Sequence, residues 1–240
     1  VTTYEKPTCT ACCHYKKHYN NEYLFFCLTL LLSGKSIHFS LNPLTALSPS
    51  TNALVFMGAS GTVPINQYHQ WWSLITANWL HGSLMHIIFN MIALSQTGYM
   101  IIAIFGIHRM IIIYTLTGVA GFYLSYLAGV PITIGASASI CGLIGAAFYY
   151  GRSGGKFSKA VFNTISGWII SLVIFGIAIQ NINNWGHGGG FVSGIILAWL
   201  LGYHESKPEN IIHKTLSSTC FAVTLSILGW AIISAILTFF

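Results

Sequence analysis

Aspartate is absent from this 240-residue chain, and glutamate occurs only as Glu5, Glu22, Glu205 and Glu209. Charged residues of both signs make up 6% of it, against about 25% in an ordinary soluble domain. So sparse a set of charges excludes a water-facing exterior for most of the chain. Ten Lys and Arg residues leave a formal charge of +6, but they are too thinly scattered to form the continuous basic patch that nucleic acid requires. No cofactor fingerprint is present and no nucleic-acid partner is expected. The polar beginning of the chain also lacks the short apolar core of a cleavable signal peptide.

What is abundant is apolar: 54% of the residues, including 15 Phe, 12 Tyr and 7 Trp. A membrane-crossing helix needs about 20 mostly apolar residues. Runs of that kind occupy 84–105, 110–128, 160–179, 187–203 and 217–240, with a shorter one at 137–150 and a more polar one at 23–41. The fold class expected is therefore an all-α polytopic membrane protein embedded among lipids. Six spans lie within 23–203, preceded by a short cytoplasmic segment, 1–22. A cytoplasmic loop, 204–216, and a seventh, C-terminal transmembrane helix, 217–240, follow. Lys6, Lys16, Lys17, Arg109, Arg152, Lys156, Lys159, Lys207 and Lys214 fall on one side of this arrangement, and the uncharged loops fall on the other. The positive-inside rule then places the N-terminus in the cytoplasm, with a cell (inner) membrane the simplest location.

Cys27, Cys141 and Cys220 lie in apolar stretches and read as packing residues. Cys9, Cys12 and Cys13 cluster near His14 and His18, ligand types that zinc accepts. A second CxxC at finger spacing is missing, so no metal site is assigned.

Polar residues at membrane depth mark function by default, and three clusters stand out. His86 and Asn90, four apart, share one face at the start of the second span. Gly135-Ala136-Ser137-Ala138-Ser139 opens the short fourth helix, and Asn184-Trp185-Gly186-His187-Gly188-Gly189-Gly190 opens the sixth. All three fall at the outer ends of their helices. Serine needs a base to act as a nucleophile, and His187 is the available imidazole. A helix start beside Ser137 favours developing negative charge, and His86 and Asn90 add side-chain donors of the kind carbonyl addition requires. Gly142 and Gly145 follow the serine, and Gly190 and Gly194 follow the histidine on its own face. Such small residues let membrane helices approach closely. With no aspartate, and with the glutamates assigned to the cytoplasmic side, the expected design is a Ser–His dyad.

His81-xxxx-His86-xxx-Asn90, Gly135-x-Ser137 and His187-xx-Gly190-xxx-Gly194, in this order on the second, fourth and sixth spans, resemble the rhomboid family of intramembrane serine proteases. The likeness covers about residues 54–203. It implies a rhomboid-like six-helix core plus the additional seventh helix. Ser137 would be the nucleophile and His187 the general base, with His86, Asn90 and the Ser137 backbone N–H as oxyanion donors. The substrates would be transmembrane segments of other proteins. A catalytically inactive relative that binds membrane helices is the alternative. Ala138 stands where the family often has Gly, Ser73 follows Trp72 where it has Arg, and Cys141 stands where an aromatic ring commonly packs on the histidine. Gly58-Ala59-Ser60-Gly61 also matches a nucleophile pattern but lacks a long helix after it. Ser139 is a closer rival, rotated by about 200° from Ser137 on the same helix.

Overall fold

The short polar side chains and glycines between the apolar runs set where each helix begins and ends. In a computed structural model that describes residues 9–42, 45–179 and 182–239 (side chains from 21 to 238), they divide the chain into helices and short connections. Ten α-helices are formed among the described residues: α1 (Cys9–Ser33), α2 (Thr51–Phe56), α3 (Thr62–Tyr68), α4 (Ser73–Thr76), α5 (Leu84–Phe105), α6 (Ile107–Leu127), α7 (Ser137–Arg152), α8 (Ser158–Ala178), α9 (Asn184–Leu201) and α10 (Ile211–Phe239). The Ser83 side chain accepts from the His86 N–H at 3.2 Å and starts α5. Gly106, at φ 92°, separates α5 from α6 without a connecting loop. Among the described residues, four helices are long and apolar enough to cross a membrane: α5, α6, α8 and most of α10. The chain is an integral, multi-pass membrane protein of the all-α class.

Helices occupy the expected apolar runs, most with shifted ends, except at the beginning. The first helix is Cys9–Ser33 rather than 23–41, and a 3-10 turn at Gly34–Ser36 closes it. It therefore includes most of the stretch assigned to a short cytoplasmic segment. Glu22 lies inside this helix, fully buried, where its carboxyl accepts a hydrogen bond from Tyr114 Oη on α6 at 2.9 Å. The seventh helix begins at Ile211 rather than 217, because Asn210 and His213 cap one another's backbone N–H groups. The side chains of Cys9, Cys12, Cys13, His14 and His18 lie outside the described ones.

α7 and α9 pair at the centre, flanked by α6, while α5 and α8 pack on α7 from other sides. Glycine makes the central pairing close. A Cβ on Gly190 would overlap the Ala138 carbonyl, one on Gly194 the Gly142 carbonyl, and one on Gly145 the Phe191 carbonyl. Gly142 in turn leaves room for Thr117 of α6. α8 buries only Val161 and Ile165; its Ile170, Val173, Ile174 and Phe175 face outward, as lipid contact requires. α10 lies against α6, α4 and α2, with Leu228 and Ala235 sharing a cluster with Phe25, Leu54, Met57 and Trp79.

Arg109, expected in a loop, is instead in the first turn of α6 and fully buried. Its guanidinium donates to the carbonyls of Phe105, Leu201, Lys207 and Pro208 at 3.1, 3.1, 2.9 and 3.3 Å. The ends of α5 and α9 leave carbonyls without intrahelical partners, and one planar five-donor group satisfies both. The Arg109 N–H donates to Glu209 at 2.9 Å. The 202–210 connection is thereby clasped to the α5–α6 junction.

Candidate active site

The first turns of α5, α7 and α9 converge at one place. α7 begins at Ser137 and its cap, Ala136, offers no side-chain oxygen, so the first-turn N–H groups are left for another acceptor. Ser137 Oγ lies 2.8 Å from His187 Nε2, and both side chains are half-buried. The approach to Ser137 is rigid. Ser60 and Thr133 form an antiparallel bridge with N–H to O distances of 3.0 and 2.7 Å, and the Gly135 N–H donates to the Ala77 carbonyl at 2.8 Å.

Beside Gly135, two residues before the serine, lies His86, whose Nδ1 accepts from the Gly82 N–H at 3.2 Å. An accepting Nδ1 puts the imidazole proton on Nε2. That nitrogen faces Gly135, where a Cβ would stand 2.7 Å from it; Gly135, at φ 116°, is required both for its backbone and for this space. Asn90 Nδ2 donates to the His86 carbonyl at 2.9 Å and would stand 3.9 Å from the same Cβ position, with a second N–H remaining. Two side-chain donors thus face the approach to a helix N-terminus that carries a serine–imidazole pair. This arrangement can accept a proton from a nucleophile and stabilise an oxyanion next to it.

The competing serines are occupied elsewhere. Ser139 is buried on the far side of α7, where its hydroxyl meets the Tyr114 carbonyl at 2.6 Å and Asn78 Oδ1 at 2.9 Å. Ser60 is buried in the bridge with Thr133, and its Oγ accepts from Ser73 Oγ at 3.2 Å. Cys141, 1% exposed, fills the place one turn after Ser137. Among the described residues no aromatic ring pairs with His187, and no group of three His, Cys, Asp or Glu gathers in a metal-ligating arrangement.

Two residues that sequence reasoning passed over belong to this region. Asn183 Oδ1 accepts from the Gly186 N–H at 2.9 Å, and its Nδ2 donates to Ser125 Oγ and Thr133 Oγ1, each at 2.7 Å. An asparagine just before an apolar helix is an N-cap signal, and it was legible as such. Glu22 is the second. Its Oε2 lies 3.9 Å from His81 Nδ1, and the His81 ring stands edge-on to the His86 ring with centroids 5.1 Å apart. The acidic residues are therefore not all on the basic side of the fold, and one lies behind His86. His81 itself precedes α5, and burial, followed by the neighbouring His86, holds its pKa well below the ordinary histidine value. At 3.9 Å its contact with Glu22 is longer than a hydrogen bond.

Residues 68–204 match the family described as Rhomboid domain. The chain is 32% identical over 206 residues to Rhomboid protease GluP of Bacillus subtilis, covering 85% of this chain and 39% of that one. It is 32% identical over 191 residues to RHOMBOID-like protein 7 of Arabidopsis thaliana, covering 74% and 58%. With Rhomboid-like protease 5 of Toxoplasma gondii it shares 26% over 184 residues, covering 72% and 22%. The chain thus spans less than two thirds of the length of these relatives.

Proposed function

The chain belongs to the rhomboid family, and on that footing we propose that it is an intramembrane serine endopeptidase that cleaves transmembrane segments of other membrane proteins. The observation that carries the proposal is the 2.8 Å contact between Ser137 Oγ and His187 Nε2, made beside a helix start that two further donors face. His187 accepts the Ser137 proton on Nε2 as Oγ adds to the scissile carbonyl carbon. The oxygen that gains charge is met by His86 Nε2–H, Asn90 Nδ2–H and the Ser137 backbone N–H. Collapse of the tetrahedral species breaks the C–N bond, and His187 returns its proton to the leaving amine. Water, deprotonated by the same imidazole, then releases the acyl group and restores the serine. No carboxylate touches His187 among the described residues, so the pair acts as a dyad.

The lysines and arginines of the loops opposite the dyad favour a cytoplasmic N-terminus and chemistry at the outer half of a cell membrane. A substrate there would be a membrane helix carrying small or helix-breaking residues near that face. The deciding experiment reconstitutes the protein in lipid vesicles with a single-span reporter and identifies the cut by mass spectrometry. Wild type is expected to cleave, Ser137→Ala and His187→Ala to leave the reporter whole, and Ser60→Ala to cleave as wild type does. Equal product from wild type, Ser137→Ala and His187→Ala, or none from wild type, overturns the proposal. In the latter case, retained binding of the reporter would favour the inactive, helix-binding alternative.

A further inference from the structure

Behind the oxyanion side of the site runs a buried polar chain that the dyad chemistry does not use. Tyr114, Glu22, His81 and His86 follow one another from α6 through α1 to the segment before α5 and its first turn. Glu22 and His81 are each 0% exposed. Tyr114 Oη satisfies one carboxyl oxygen of Glu22 at 2.9 Å. The other, Oε2, has no hydrogen-bond partner, and neither ring nitrogen of His81 has one. Oε2 and His81 Nδ1 face each other at 3.9 Å. A buried polar atom left without a partner is destabilising, so a leucine at 22 and a phenylalanine at 81 would serve packing better. Two such atoms aimed at one another need only one proton between them, carried by either, and a closure of about 1 Å to become a hydrogen bond.

Resting on the protease reading above, we infer that Glu22 is a positioning residue for the oxyanion donor His86, acting through the His81 imidazole. His86 has one fixed ring atom, Nδ1, held by the Gly82 N–H. Nothing at that nitrogen alone prevents the ring from tilting. The His81 ring, at 70° and 5.1 Å, closes that freedom from the side, and it can do so only while its own orientation is held. Glu22, fixed by Tyr114, is the polar group within reach of His81. An acidic residue therefore supports the catalytic centre from the oxyanion side, where no dyad or triad pattern would place it. Donors to an oxyanion must be aimed before the charge forms, so the effect belongs in the chemical step rather than in substrate binding.

The test measures kcat and KM separately for reporter cleavage in vesicles, with the thermal unfolding midpoint of each variant and Ser137→Ala as the inactive reference. Glu22→Ala is expected to lower kcat about tenfold or more, since small misplacements of positioned groups cost that much, while KM stays within about twofold. Glu22→Gln supplies an amide that accepts from Tyr114 and donates to His81 permanently, and is expected to recover kcat to within about threefold of wild type. Glu22→Met keeps the volume without the proton and carries the same expectation as alanine should alanine fail to fold. Wild-type kcat in a folded Ala or Met variant overturns the inference. So does a change confined to KM, failure of Gln to rescue, or loss of fold in both apolar variants, which would assign Glu22 to stability alone. Each of these leaves the dyad reading standing if wild type cleaves and Ser137→Ala does not. An uncleaved reporter with wild type overturns both.

Discussion

Gly190 of α9 lies directly against the carbonyl oxygen of Ala138 on α7, with no space for a side chain between them. Ala138 follows Ser137, and Gly190 follows His187 by three residues on the same helix face. The contact therefore sets the separation of the two helices one turn from the Ser137–His187 pair. Gly194 against Gly142 and Gly145 against Phe191 repeat the arrangement deeper along the same helices. Gly190→Ala must move α9 away from α7 and open the 2.8 Å serine–imidazole contact. A displacement of about 1 Å is expected to lower the cleavage rate about a hundredfold. Labelling of Ser137 by a fluorophosphonate, compared with reporter cleavage, checks it: both should fall together while the protein still inserts into membranes.

The donors opposite the imidazole make a separate prediction. Asn90→Ala removes an N–H that faces the approach to Ser137, and His86→Ala removes the Nε2 donor. Loss of one oxyanion donor costs about 10²–10³ in kcat, or roughly 3–4 kcal/mol of transition-state stabilisation. Each variant should show that fall in kcat with KM little changed, and the pair together should cost less than the sum because the donors share one oxygen. A rise in KM alone would show that these residues hold substrate rather than charge.

Much of the fold is written in hydrophobic run length, which is why α5, α6, α8 and α10 were legible from composition. The Ser137–His187 contact was legible for a second reason: serine, histidine and asparagine among apolar neighbours have few structural uses at membrane depth. The failures came where polar groups are satisfied across long sequence distances. Glu22 reads as part of a polar approach to a span because its partner, Tyr114, is 92 residues away. Arg109 reads as a loop cation because the carbonyls it caps belong to residues 105, 201, 207 and 208, which only the tertiary fold brings together. Helix rotation turns Ser139 away from the face of Ser137, and its hydroxyl meets Asn78 and Tyr114.

Arg109 lies far from the dyad, and its substitution should separate stability from chemistry. Arg109→Met leaves four carbonyls without their donor in a buried place, and a buried network broken at one partner costs about 3–5 kcal/mol. The thermal unfolding midpoint in detergent should fall clearly. Arg109→Lys should recover only part of it, since a single ammonium cannot match the guanidinium fork across two helix ends. Cleavage per folded molecule at low temperature should stay close to wild type in the lysine variant. An unchanged midpoint for methionine would show that the 202–210 connection is held by other contacts.

Asn183 joins three elements through one amide, and this makes its substitutions graded. Its oxygen caps α9 at the Gly186 N–H, one residue before His187, while its nitrogen holds Ser125 on α6 and Thr133 in the segment leading to Ser137. Ser125 Oγ already donates to the Gly121 carbonyl at 2.8 Å, so it can only accept from position 183. Asn183→Asp keeps the cap but offers Ser125 no donor, whereas the Thr133 hydroxyl donates to no other group among the described residues and can turn to donate to a carboxylate. Asn183→Ala loses all three links, and the cap alone is worth about 1 kcal/mol. Cleavage should therefore fall in the order Asn, Asp, Ala, with the alanine variant about tenfold or more below wild type because the helix carrying His187 is no longer tied to the segment carrying Ser137. Measuring kcat beside the unfolding midpoint separates the two effects. A drop in stability with kcat unchanged would confine Asn183 to holding the fold, while a drop in kcat in the folded Asp variant would place it in the alignment of the dyad.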